Sequence, residues 1–224
     1  MNIDYYIVDA EGKRAVAMAD DPEGFSGYRK ARILALKPLI SRRLSAAAGI
    51  AVAEGLESFG LREAETVFGT NEYGKPYIPD HPEIVFSVSH SGRYAVAAFL
   101  KEDRTGGCSL GVDIEQISRM NGRIASYLKP DRGFATITGA DGLKDLCRRW
   151  TATEAFAKCV GSGLAAFGDD FYFENTSPGR IILRQDIYDG EFEVYEAEAP
   201  EGYCITCIVR KRDISEDNIK SMGD

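Results

Sequence analysis

The chain has 224 residues, 44% hydrophobic and 28% charged, with five cysteines and a formal net charge of −8. That length holds one sizeable core or two small ones, and the composition excludes disordered and fibrous classes. The acidic balance excludes nonspecific nucleic-acid binding, which needs a positive field to meet phosphates, so an anionic ligand must find a local basic patch.

Met1-Asn-Ile-Asp-Tyr-Tyr lacks the basic-then-apolar pattern of a secretion signal, and no uninterrupted apolar run approaches the roughly 18 residues of a membrane span. A cytoplasmic monomer without nucleic-acid or membrane partners is expected. Residues 2–8 are β-branched and aromatic enough for a strand, and Asp20, Asp21, Pro22 and Gly24 mark a loop. Residues 25–53 carry Arg29, Lys30, Arg32, Lys37, Arg42 and Arg43 and no Asp or Glu, which makes this half the home for an anion. Pro38 opens a helix that runs through the small residues Ala46 to Ala53, a face suited to close packing.

The stretch 72–80 has the Gly and Pro density of a structured loop. It leads to a strand over 84–90, a turn at Ser91-Gly92 and a second strand over 94–100. Ser89 and His90, at a strand end beside a glycine, offer polar atoms suited to a phosphate, whereas His81 reads as a surface residue. A charged, glycine-bearing hinge over 102–107 divides the chain into 1–105 and 106–224.

The second half opens on a strand over 110–115, with Asp113 and Glu115 on one face and Val112 and Ile114 on the other. Residues 150–158 read as a helix closed by Gly161 and Gly163, which puts Glu154 and Lys158 one turn apart on one face. An isolated pair of that kind is ordinarily solvated and worth about 0.3–0.5 kcal/mol. Joined to Asp113 and Glu115, it gives three carboxylates and one ammonium. Hard divalent cations such as Mg2+ take oxygen ligands and keep waters for a substrate phosphate to replace, while a lysine meets the oxygens left uncovered.

The alternating runs 170–174, 180–184, 192–197 and 203–209 read as an antiparallel meander with turns at Pro178-Gly179 and Asp189-Gly190, before a polar tail from Asp213. Cys204-x-x-Cys207 lies in the last run, so its sulfurs point to opposite faces and read as small buried hydrophobes in a reducing compartment. Each half is thus strand, helix and further strands, a repeated α+β arrangement.

Four stretches, in order, resemble the signature words of the Sfp-type 4′-phosphopantetheinyl transferases. They are Asn71-Glu-Tyr-Gly-Lys-Pro-Tyr-Ile-Pro79, Phe86-Ser-Val-Ser-His-Ser-Gly92, Gly111-Val-Asp-Ile-Glu115 and Trp150-Thr-Ala-Thr-Glu-Ala-Phe-Ala-Lys158. The resemblance implies an α+β (α/β) fold of two similar, pseudo-symmetric subdomains, each a helix on a mainly antiparallel sheet, with coenzyme A between them. It implies that Asp113, Glu115 and Glu154 hold Mg2+, and that Lys75, Ser89, His90, Asp113 and Lys158 meet coenzyme A. Candidates for its nucleotide end are Lys30, Arg32, Lys37, Arg42 and Arg43.

The implied reaction is of the holo-acyl-carrier-protein synthase class. A serine hydroxyl of an apo acyl or peptidyl carrier protein attacks the β-phosphate of coenzyme A, taking up 4′-phosphopantetheine and releasing adenosine 3′,5′-bisphosphate. Glu154 or Asp113 accepts the serine proton, and Lys158 stabilises phosphoryl charge. Two departures stand out: Thr153 occupies a position where many relatives have Lys, to be replaced by Arg148 or Arg149 if at all, and the carrier-docking region has Tyr127-Leu128 and Asp131 instead of a clear aromatic pair. A metal-dependent phosphodiesterase or nucleotide hydrolase would use the same carboxylates with water. A noncatalytic coenzyme A binding protein would need only the basic block.

Overall fold

A computed structural model describes residues 2–101, 107–128, 139–163, 171–177 and 180–211. The first half runs β1 (Ile3–Asp9), α1 (Lys13–Asp20), α2 (Gly27–Ala35), α3 (Leu39–Glu57), the short strands β2 (Gly69–Thr70) and β3 (Pro76–Tyr77), then β4 (Ile84–Ser91) and β5 (Tyr94–Lys101). The second half runs β6 (Cys108–Gln116), α4 (Gly122–Tyr127), α5 (Gly139–Val160), β7 (Phe171–Ser177), β8 (Arg180–Gln185), β9 (Glu191–Ala197) and β10 (Tyr203–Lys211).

The two principal sheets are antiparallel and follow one rule. Their orders are β1-β5-β4 and β6-β10-β9, so in each the first strand is followed by a long helix and the last strand takes the centre. This is the repeated α+β architecture that the sequence led us to expect. The third strand of one sheet, β4, lies beside the first strand of the other, β6.

Period-two alternation explains the layering. On β5, Ala97 and Phe99 pack against Ala51, Val52 and Leu56 of α3. Val96, Ala98 and Leu100 point the other way and share a core with Leu110, Val112 and Ile114 of β6 and Ile205, Cys207 and Val209 of β10. Ile208 of β10 meets Ala152, Ala155, Phe156 and Cys159 of α5. Each sheet therefore carries a helix on one face and meets the other half of the molecule through the opposite face. Full burial of Phe99 or Phe156 contributes about 1.5–3 kcal/mol each.

The expected helix at Pro38 is α3, with Pro38 at its N-cap, and the expected helix over 150–158 lies in the second half of the 22-residue α5. The hairpin turn falls at Gly92-Arg93, where Gly92 has φ +57°, as the first position of a tight two-residue hairpin loop requires. The expected meander is divided: β7 and β8 form a separate hairpin, while β10 pairs with β9 and β6. The second edge of β10 is taken by a strand nearly ninety positions earlier, a pairing that local alternation does not encode. The hinge residues 102–106, the turn at 178–179, Asp131 and the tail from Asp213 lie outside the described residues. Cys204 and Cys207 join different cores on opposite faces of β10, as alternation predicts. Among the described residues no helix is long and apolar enough to cross a membrane.

Candidate active site

The odd-numbered face of β6 receives α5. A Cβ at Gly111 would lie 2.0 Å from the Ala155 carbonyl oxygen and 2.4 Å from the Cys159 nitrogen, so only glycine lets the helix backbone rest directly on the strand. That approach carries Lys158 to Asp113, with Nζ 2.7 Å from Oδ1. One turn before Ala155 on the same face of α5, the buried Thr151 hydroxyl bonds the hydroxyl of Thr206, the β10 neighbour of Asp113, at 2.7 Å and fixes the rotation of the helix.

The other wall is β4. Its alternate residues Ser87, Ser89 and Ser91 are all buried and all reach across to β6. Ser87 Oγ accepts from Val112 N at 3.0 Å, Ser89 Oγ donates to Asp113 Oδ1 at 2.6 Å, and Ser91 Oγ donates to Glu115 Oε1. Lys158 Nζ also donates to Ser89 Oγ at 2.8 Å, which closes a triangle of ammonium, hydroxyl and carboxylate. The Phe86–Gly92 and Gly111–Glu115 words are thus two sides of one seam.

Above the seam lies a cavity of about 750 Å³, lined on one side by Asp113, Glu115, Trp150, Glu154 and Lys158 and on the other by Ser89, His90, Arg29 and Arg32. A second chamber of about 240 Å³ shares Arg29, Arg32, Val88, Glu154 and Lys158 with it and continues to Tyr28, Tyr73, Gly74 and Pro76. Burial raises the Asp113 carboxyl above the usual range against the pull of Lys158 and Ser89, and the Glu115 charge adds to the rise. Glu154 is raised by burial first and then by the Asp113 charge, with Lys158 opposing. His90 keeps an exposed edge, yet its partial burial in the cleft and the Lys158 charge lower its pKa, so the ring is neutral near pH 7.

The basic block divides. Arg29, which the sequence placed in the block without singling it out as a ligand, is buried against the cavity with its Nε lacking a hydrogen-bond partner among the described residues. It stands beside Arg32 on the same helix face, and both guanidinium groups lie within 6 Å of the Tyr28 ring centre. Lys30 pairs with Glu23. Arg42 donates to the Ala19 carbonyl at 2.6 Å, Lys37 is exposed, and neither these nor Arg43 lines either cavity. The signal for Arg29 was helix phase: three residues from Arg32, it shares that residue's face.

Lys75 borders the smaller chamber, but its Nζ donates to the carbonyls of Leu110 and Cys159 at 2.9 and 3.3 Å. Arg148 forms a two-pronged pair with Glu196 at 2.5 and 2.8 Å and also meets Asp145. Neither Arg148 nor Arg149 lines the main cavity, and the Thr153 hydroxyl donates to the Arg149 carbonyl at 2.9 Å.

Among the described residues no three acidic, His or Cys groups already stand as a compact cation cluster. The donor set nevertheless fits a hard cation. Asp113 Oδ2 is buried with no hydrogen-bond partner among the described residues, and the three carboxylates lining one cavity repel one another, which a divalent ion would relieve.

A family model described as the 4′-phosphopantetheinyl transferase superfamily matches residues 109–208, which include Asp113, Glu115, Glu154 and Lys158. The chain is 28% identical over 164 residues to the 4′-phosphopantetheinyl transferase ffp of Bacillus subtilis, covering 72% of this chain and 70% of that protein. It is 27% identical to the 4′-phosphopantetheinyl transferase Sfp of Bacillus subtilis strain 168, covering 71% and 70%. A third Bacillus subtilis 4′-phosphopantetheinyl transferase is 29% identical, with 72% and 64% covered.

Proposed function

We propose that the chain is an Sfp-type member of the 4′-phosphopantetheinyl transferase superfamily and that it transfers 4′-phosphopantetheine from coenzyme A to a serine of an apo acyl or peptidyl carrier protein, as a holo-carrier synthase. The observation that carries this reading is that Asp113 and Glu115 of β6 and Glu154 and Lys158 of α5 share one cavity with Arg29 and Arg32 of α2. An acidic wall faces a cationic wall across a space in the size range of small-molecule sites, about 300–1,000 Å³.

In this reading Arg29 and Arg32 hold phosphates of the nucleotide end, and the smaller chamber beside Tyr28, Tyr73 and Pro76 takes the base. Asp113, Glu115 and Glu154 would hold Mg2+, which when bound supplies charge neutralisation to the diphosphate. The carrier serine oxygen forms a bond to the β-phosphorus, the bond from that phosphorus to the bridging oxygen breaks, and adenosine 3′,5′-bisphosphate leaves. Glu154 accepts the serine proton, since it lines the same cavity wall as Asp113 and Lys158. Lys158, held by Ser89 and Asp113, directs an ammonium at the transferred phosphoryl oxygens, and neutral His90 offers an uncharged ring N–H from the opposite wall.

Purified protein incubated with Mg2+, coenzyme A and a panel of apo-carriers should add one phosphopantetheine mass to at least one carrier. Release of pantetheine phosphate in the absence of any carrier, with every carrier mass unchanged, would replace the transferase reading with a hydrolase.

A further inference from the structure

The last carbonyls of an α-helix have no partner within it and carry the negative end of its dipole. At the end of α5 those groups are met from the other half of the chain. Lys75 Nζ donates to the Cys159 carbonyl at 3.3 Å and to the Leu110 carbonyl of β6 at 2.9 Å, so one ammonium ties together the helix that bears Lys158 and the strand that bears Asp113. Asn71 Nδ2 donates to the Gly161 carbonyl at 3.1 Å, just past the helix end.

The loop that presents these two side chains is closed on itself. Asn71 Oδ1 accepts from the backbone nitrogens of Lys75 at 2.9 Å and Tyr73 at 3.0 Å, and Asn71 N donates to the Lys75 carbonyl at 3.0 Å. Asn71 therefore shapes the loop from which Lys75 reaches out, and Gly161, at φ +75°, turns its carbonyl to meet it. Lys158 directly precedes the clamped Cys159, and Asp113 lies three residues beyond the clamped Leu110.

We propose that Asn71 and Lys75 form a latch, and that Lys75 is a positioning residue that holds the end of α5 against β6 and thereby sets Lys158 upon Asp113. The lysine of the Gly-Lys-Pro word then serves the geometry of the site through Lys158 and is no direct ligand of coenzyme A phosphate. The proposal rests on the transferase reading only for its kinetic consequence.

The test uses Asn71→Ala, Lys75→Met, Lys75→Arg and the Asn71→Ala/Lys75→Met pair in the full chain, each checked for a cooperative melt. A latch predicts that each of the first two lowers kcat by about 10- to 100-fold, as slight misplacement of catalytic groups does, with KM for coenzyme A altered equally in the two. The pair should lose little more than either alone, and Lys75→Arg should recover part of the rate. Affinity for adenosine 3′,5′-bisphosphate by calorimetry should change to the same degree in Asn71→Ala and Lys75→Met, because both loosen the loop that carries Tyr73 and neither removes a phosphate contact. Amides at 159–161 should exchange faster in both Asn71→Ala and Lys75→Met, a readout that needs no transfer and so judges the latch even if the transferase reading fails. Unchanged exchange at 159–161, or a loss of bisphosphate affinity in Lys75→Met that Asn71→Ala does not share, overturns the proposal.

Discussion

Lys158 Nζ stands 2.7 Å from Asp113 Oδ1, while Oδ2 of the same buried carboxylate has no hydrogen-bond partner among the described residues. One oxygen is neutralised by an ammonium and a serine hydroxyl, and the other is left for a further donor or a cation. Removing the ammonium strands a charge that burial already disfavours. Lys158→Met should therefore destabilise the fold by about 1–3 kcal/mol. It should also lower kcat by about 10²- to 10³-fold, because the lost charge acts on the transition state. Urea unfolding and transfer kinetics at saturating coenzyme A report the two effects separately.

Glu154 shares the cavity without a direct bond to Lys158 being required for its role as proton acceptor. Glu154→Gln keeps the shape and removes the basicity, so kcat should fall by about 10²- to 10⁴-fold. The melting temperature should hold or rise, since a half-buried carboxylate repelled by Asp113 is neutralised. Retention of more than a tenth of wild-type kcat would assign the proton to another group, with Asp113 the next candidate.

Gly111 admits α5 because it has no side chain. The atoms that a methyl would meet, Ala155 O and Cys159 N, belong to helix backbone and cannot swing aside. Gly111→Ala should cost about 1–3 kcal/mol or more through overpacking. It should also separate Lys158 from Asp113, so that transfer falls further than the lost folded fraction explains. A lower urea midpoint at unchanged slope, measured alongside activity per folded molecule, tests this.

Glu63 gives a pH dependence whose sign can be worked out. Its carboxyl is buried and accepts from Ser26 N and Ser26 Oγ, both at 2.8 Å. Burial raises its pKa above the usual value, against the pull of those two bonds and of Arg29. The folded chain thus binds this proton more tightly than the unfolded chain does. The resulting stability is fully present below the unfolded glutamate value and is lost as pH rises through the raised folded value. The stability of the native chain minus that of Glu63→Gln should be largest in mild acid and shrink toward neutrality; a flat or opposite difference in urea titrations across that range would rule out the assignment.

Much of the site was legible in short words. Period-two alternation put Asp113 and Glu115 on one face, helical phase put Glu154 and Lys158 on one face, and the hairpin around Gly92 was marked by its glycine and flanking β-formers. These patterns are local, because each follows from backbone geometry within a few residues. The basic block was equally visible as charge, but charge alone could not say that Arg29 and Arg32 turn into the cavity while Lys30 meets Glu23 and Arg42 caps the Ala19 carbonyl.

By itself, the sequence determined the α+β character, the strand and helix faces, and the presence of three carboxylates and a lysine able to share a phosphate site. Only the tertiary structure decided that β10 would pair with β6, that three serines of β4 would stitch the seam, and that Lys75 would turn to two carbonyls. The physical reason is separation along the chain. Alternation and helical phase are set by neighbours, whereas the partner of a serine hydroxyl or a lysine ammonium is chosen by whatever packing brings within about 3 Å.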